Sequence, residues 1–170
     1  MVLITLLRLI HIFLGVFWAG TAFYLLLFLT PSIVAAGPAG GRVMQELVKR
    51  GQLTFFPVIG ALVVLSGLAL MWWTSGHFAG GWFLTHRGMA ITVGAVTALV
   101  AFLLGPLAMR PAALRAGALA GQAQAAPEGP ERNALMGQAM AASARAALAG
   151  KWVAWLLAVT VVCMALSRTI

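Results

Sequence analysis

A histidine and an arginine lie inside the first apolar run of the sequence, which extends from Val2 to Leu29. Ionisable side chains are costly inside a bilayer, so each implies a partner or a function. Residues three or four apart share one face of a helix. One stripe of this run therefore combines the two ionisable residues with small residues and an aromatic ring: Arg8, His11, Gly15, Trp18 and Ala22. A histidine among such neighbours can take a flat ligand against the backbone, which is the shape of a haem site.

His11 is the strongest candidate for a metal ligand, because neutral imidazole binds haem iron and copper well. The alternative is a buried histidine that bonds a hydroxyl group or a backbone carbonyl. Arg8, one turn earlier, can pair with a haem propionate or extend to the membrane surface. His86 and Arg87 open the third apolar run. They are either further cofactor-binding residues, with His86 as a second metal ligand, or ordinary interfacial residues.

Other kinds of chemistry have little support. His77 joins the other two histidines as a candidate for copper or zinc, but their spacing matches no zinc motif. The three acids, Glu46, Glu128 and Glu131, lie outside the apolar runs, which argues against carboxylate-driven hydrolysis. The sequence also contains no phosphate-binding loop, nucleophile elbow or dinucleotide fingerprint.

Composition sets the fold class. The chain of 170 residues is 62% hydrophobic and 8% charged, whereas soluble domains are about 25% charged. A helix needs about 20 apolar residues to cross a bilayer, and four runs meet this requirement or approach it. We therefore predict an all-α, four-transmembrane-helix bundle that forms a single membrane domain. Its spans are expected at about residues 2–29, 53–73, 87–109 and 152–166.

The connections predict the orientation. Basic residues concentrate in the first connection and in residues 110–150, which the positive-inside rule places in the cytoplasm, with both termini outside. We assign the net charge of +8 to this topology and to anionic lipid, and not to nucleic acid. Residues 110–150 are expected to form a long loop with a helix over 131–149. That helix either lies on the membrane or extends the fourth span, and the loop is a candidate surface for a partner subunit or a second copy.

Several short motifs lie within residues 6 to 108: His11-Ile12, Trp18-Ala19-Gly20, Tyr24, Lys49-Arg50, Pro57, Ser66-Gly67, Leu70 and the run from Gly81 to His86. They resemble the membrane superfamily of HemJ-type protoporphyrinogen oxidases and CopD-like proteins. The resemblance implies a b-type haem held by His11. His86 falls where the HemJ pattern has a functional lysine, and the apolar residues 25–30 replace an arginine-rich helix exit.

These observations lead to one main hypothesis and two alternatives. The main hypothesis is a haem b protein of the bacterial inner membrane, with His11 and His86 as axial ligands, that moves electrons from a quinol-like or porphyrin-like reductant. The first alternative is a haem-free protein that handles copper or transports a small solute. The second is an oxidase of the HemJ type.

Overall fold

The computed structural model describes residues 2–169, and these residues contain helices and turns but no strand. Two π-helical turns, Leu25–Leu29 and Gly105–Met109, and one 3-10 turn, Gly80–Leu84, join or extend the helices. The α-helices are α1 (Val2–Tyr24), α2 (Thr30–Ala35), α3 (Pro38–Lys49), α4 (Gln52–Thr74), α5 (His86–Leu104), α6 (Arg110–Ala125) and α7 (Pro130–Leu166).

Four helical segments are long and apolar enough to cross a membrane: Val2–Ala35, Gln52–Thr74, His86–Ala125 and Pro130–Leu166. The predicted class, an all-α membrane protein with four spanning helices, is therefore confirmed. Apolar side chains cover much of the outside, including Phe13 and Val16 of α1. This exposure suits a lipid-facing surface, because lipid tails accept such groups at no cost.

The helices pack around a ring in the order α1, α4, α5 and α7. α1 lies against α4 and α7, and α5 lies against the same two helices, so α1 and α5 occupy opposite corners. A small core lies among all four helices; its buried members include Trp18 of α1, Val63 of α4, Ala101 of α5 and Leu157 of α7. We call the end with Val2, Thr74 and His86 the terminal end, and the opposite end the hairpin end.

Residues 110–150, expected as a long loop with one helix, are helical over most of their length. α6 continues α5 through the second π turn, and α7 begins at Pro130 instead of near residue 152. The helix over 131–149 thus extends the fourth span, one of the two alternatives open at the sequence level. At 1.5 Å per residue, the 40 residues His86–Ala125 measure about 60 Å. This is about twice the hydrocarbon thickness, so the α6–α7 hairpin projects from the bilayer.

Proline accounts for the two π turns. Pro31 and Pro111 each lie two residues beyond the end of a π turn. Because proline has no N–H to donate to the preceding turn, the regular hydrogen-bond ladder is interrupted there and the helix rewinds. The first helical segment therefore continues past residue 29, the expected end of the first span, to Ala35. A turn at Gly37 (φ 56°) then leads into the amphipathic helix α3.

α5 and α7 are joined by a close contact at Gly94. A Cβ atom added there would lie 3.1 Å from Met164 Cε and 3.2 Å from Cys163 Cβ. Beside it, the hydroxyl oxygens of Thr97 and Thr160 are 2.9 Å apart and share a hydrogen bond. Small residues at such positions allow helix backbones to approach closely inside a membrane.

We predict that Gly94→Leu destabilises the bundle by about 1–3 kcal/mol, because the added side chain overpacks this contact. The matched control is Gly20→Leu, since no atom lies within 4 Å of a Cβ added at Gly20. Equilibrium unfolding in lipid or detergent measures both changes. Equal destabilisation by the two substitutions would contradict the described packing.

Candidate functional site

The His11 side chain faces α4 and is anchored there. Its Nδ1 atom lies 3.0 Å from the Val63 carbonyl oxygen and 3.1 Å from Ser66 Oγ. Ser66 is itself buried, and its hydroxyl is 2.6 Å from the Leu62 carbonyl oxygen and 3.0 Å from that of Val63. The half-buried imidazole is thus tied through one nitrogen to a single turn of α4.

These contacts assign the tautomer of His11. A carbonyl oxygen accepts hydrogen bonds and cannot donate one, so the contact with Val63 requires a hydrogen on Nδ1. Ser66 Oγ can accept from Nδ1 while its own hydrogen goes to the Leu62 carbonyl. In a neutral ring the second nitrogen, Nε2, then keeps its lone pair. Nε2 makes no hydrogen bond to any described residue.

Gly67 provides the space for this ring. A Cβ atom added at Gly67 would lie 2.8 Å from His11 Cε1 and 3.6 Å from Nε2. Real Cβ atoms essentially never approach another atom within 3.0 Å, so any larger residue at position 67 would displace the imidazole or α4. The close approach of His11 to α4 therefore depends on glycine at this position.

Gly15 and Trp18 of the His11 stripe pack against α4 as well. Trp18 is buried over Gly60, where an added Cβ would lie 3.2 Å from its indole ring. Gly15 faces Val63, with 3.9 Å between an added Cβ and the nearest Val63 methyl group. The sequence assigned Gly15 and Trp18 to a flat ligand; in the structure, α4 covers this face of α1.

Arg8 lies one turn from His11 toward the terminal end, and its side chain is exposed. No ion pair involving Arg8 occurs among the described residues, where the paired acids are Glu46 and Glu128 at the hairpin end. Within residues 2–169 the guanidinium group thus has no carboxylate partner, and it lies one helical turn from the candidate ligand. It is available to a carboxylate or a lipid phosphate.

The structure does not bring His86 to His11. Phe102 of α5 touches Gly60 of α4, so the antiparallel register places Ala95 level with Gly67. His86 lies nine residues before Ala95, about 14 Å closer to the terminal end along the helix axis. In addition, α5 stands at the opposite corner of the bundle from α1. Two nitrogens that share one metal ion are about 4 Å apart, given metal–nitrogen bonds of about 2 Å. His86 and its neighbour Arg87 are instead exposed at the start of α5.

His77 belongs to a separate aromatic cluster. Its ring lies 5.0 Å from that of Trp72 and 6.2 Å from that of Trp73. Among the described residues, no group of three or more His, Cys, Asp or Glu side chains forms a metal-binding cluster. The three histidines therefore do not form a shared metal site within the described residues.

His11 bonds a hydroxyl group and a backbone carbonyl on α4, which is the contact that the alternative to a metal ligand predicted. The particular partners were not identified as site residues from the sequence. Ser66 and Gly67 were noted as part of a family-like motif, and Val63 contributes a backbone carbonyl that no side-chain pattern reveals. One available signal was the seven-residue spacing of Gly60 and Gly67, which places two small residues on the same face of α4.

No family model, curated protein or solved structure shows a significant match to this chain. The contacts around His11 are therefore the basis for a functional assignment.

We predict that nitrogen-15 NMR of histidine-labelled protein will show a protonated Nδ1 and an unprotonated Nε2 for His11. A background with His77→Gln and His86→Gln isolates its signals. Gly67→Ala should shift these resonances because the ring must move, whereas Gly15→Ala should leave them unchanged. A ring protonated at Nε2 instead would contradict the assigned contacts.

Proposed function

We propose that this chain is a b-type haem-binding membrane protein with a redox role, in which His11 Nε2 is an axial ligand. The observation that carries the proposal is the hydrogen bond from His11 Nδ1 to the Val63 carbonyl. Metal-binding histidines almost always donate their other ring N–H to a carbonyl, a carboxylate or water, which fixes the tautomer and raises the basicity of the ligand.

A cofactor suits this site better than a bare metal ion. Structural and catalytic ions need three or four protein ligands, and the described residues contain no such cluster. A single imidazole can hold a metal firmly when the cofactor brings the remaining ligands, as the porphyrin ring does in haem. This argument favours haem over the copper-handling alternative.

The residues around His11 fit one axial ligand and one charge partner. Val63 and Ser66 orient the imidazole, and the cation of Arg8 is suited to a propionate carboxylate. Gly15 and Trp18 serve the helix contact that holds His11 in place. The position of His86 favours one protein ligand over two. Haem, when bound, supplies one-electron chemistry.

The protein's part in that chemistry is to hold the ligand and to set its electronic character. A hydrogen bond to the distal nitrogen of an axial imidazole is one of the recognised means by which a protein tunes a haem. The surrounding apolar helices limit access of water, which also influences the redox potential. We propose a quinol-like or porphyrin-like molecule dissolved in the membrane as the reductant, since the site lies within a spanning helix.

The test is a titration of purified full-length protein with hemin, followed by absorption spectroscopy in neutral detergent. We expect a Soret band that saturates at one haem per chain, and a loss of affinity of at least about 100-fold in His11→Ala, because a first ligand is removed. His77→Ala is the matched control and should bind like the wild type. His86→Ala should also retain the haem.

Two outcomes would overturn this proposal. The first is protein that takes up no haem, and the second is equal haem binding by the wild type and His11→Ala. Metal analysis of the same preparation addresses the alternative, because stoichiometric copper without iron would favour a copper-handling protein.

A further inference from the structure

A groove lies between α6 and α7, within the hairpin that projects from the bundle. Its volume is about 410 Å³, which is within the range of small-molecule sites. Arg115 on α6 and Arg145 on α7 line it from opposite sides, together with Gln138. Ala112, Ala141 and Ala142 line the space between the two helices.

The two arginines of the groove have no carboxylate partner among the described residues. Glu46 pairs with Lys49 at 2.7 Å, and Glu128 with Arg132 at 3.6 Å. The remaining acid, Glu131, lies in the first turn of α7 and does not line the groove. Both arginines are exposed, so a bound anion could pair with either guanidinium group.

The hydrogen-bond donors that line the groove suit a phosphate group as ligand. Guanidinium groups bind phosphate oxygens through paired hydrogen bonds, and the Gln138 amide can donate a further one. The alanines leave the space between the arginines open, since longer side chains at positions 112 and 141 would fill it. A purely apolar ligand would form no hydrogen bond with the two guanidinium groups or with the Gln138 amide.

The depth of the groove indicates where such a phosphate comes from. Arg115 lies five residues beyond Arg110, and Arg145 lies six residues before Lys151; Arg110 and Lys151 border the predicted spans. These separations correspond to about 8–9 Å along the helices. The headgroup layer on each face of a bilayer is about 5–8 Å thick, so the long arginine side chains can reach lipid phosphates.

We propose that the α6–α7 groove is a binding site for a phosphate-bearing anion, held by Arg115 and Arg145, and that the headgroup of an anionic phospholipid occupies it. Eight of the eleven Lys and Arg residues lie at this end of the bundle. That distribution agrees with attraction to an anionic leaflet.

Native mass spectrometry of the full chain in neutral detergent tests this site, with added phosphatidylglycerol or phosphatidylcholine. We expect phosphatidylglycerol to bind more tightly. Arg115→Gln and Arg145→Gln should each weaken its binding about tenfold, because each removes a charge-assisted hydrogen bond. The matched control is Arg132→Gln, which removes the same charge from α7 outside the groove and should bind within about twofold of the wild type.

A second variant and a second ligand complete the experiment. Ala141→Leu keeps both arginines but fills the groove, so it should weaken binding as well. Inorganic phosphate, titrated calorimetrically without lipid, identifies the source: binding that depends on both arginines would make a soluble phosphate the occupant of the same site. Groove variants that bind like the wild type, an equal loss in Arg132→Gln, or no preference for the anionic lipid would overturn the proposal.

Discussion

The hydrogen bond between His11 Nδ1 and the Val63 carbonyl is the interaction on which the account of this protein depends. It satisfies a polar group within a membrane-spanning helix, where an unsatisfied group would be costly. It also determines which ring nitrogen remains free. One contact therefore meets a structural requirement and, in the proposed function, also orients a ligand. A purely structural histidine with the same contact would leave Nε2 unprotonated as well, so haem binding itself distinguishes the two roles.

The close packing of α1 on α4 and the His11 hydrogen bond depend on each other. Glycines 60 and 67 are seven residues apart on one face of α4, and each receives a ring from α1, Trp18 at the first and His11 at the second. In a bilayer, helix association relies on close packing and hydrogen bonds and not on a hydrophobic driving force. Packing thus brings α4 close enough for its backbone to reach the imidazole, and the histidine in turn fixes the register of the two helices.

The sequence predicted the class of the fold well, and the site only in part. Apolar runs are averages over many residues, so the four spans were evident from the sequence alone. The proline-associated π turns were not evident from the sequence. The continuity of α7 was one of two alternatives, because Ala-rich residues 131–149 suit a surface helix as well as an extended span. His11 was identified as a candidate ligand because an ionisable side chain is energetically costly inside a bilayer. A hydroxyl group or a backbone carbonyl was expected as its alternative partner. Which residues supply them, and the separation of His86, were not predictable because both depend on the packing order of the helices.

The central claim is that His11 ligates the haem iron through Nε2. Electron–nuclear double resonance of the ferric, haem-loaded protein, prepared with nitrogen-15 histidine, tests it most directly. We predict strong coupling from one directly bound histidine nitrogen, retained in the His77→Gln/His86→Gln background and absent in His11→Gln. Iron without any histidine nitrogen coupling, or coupling that persists in His11→Gln, would contradict the account.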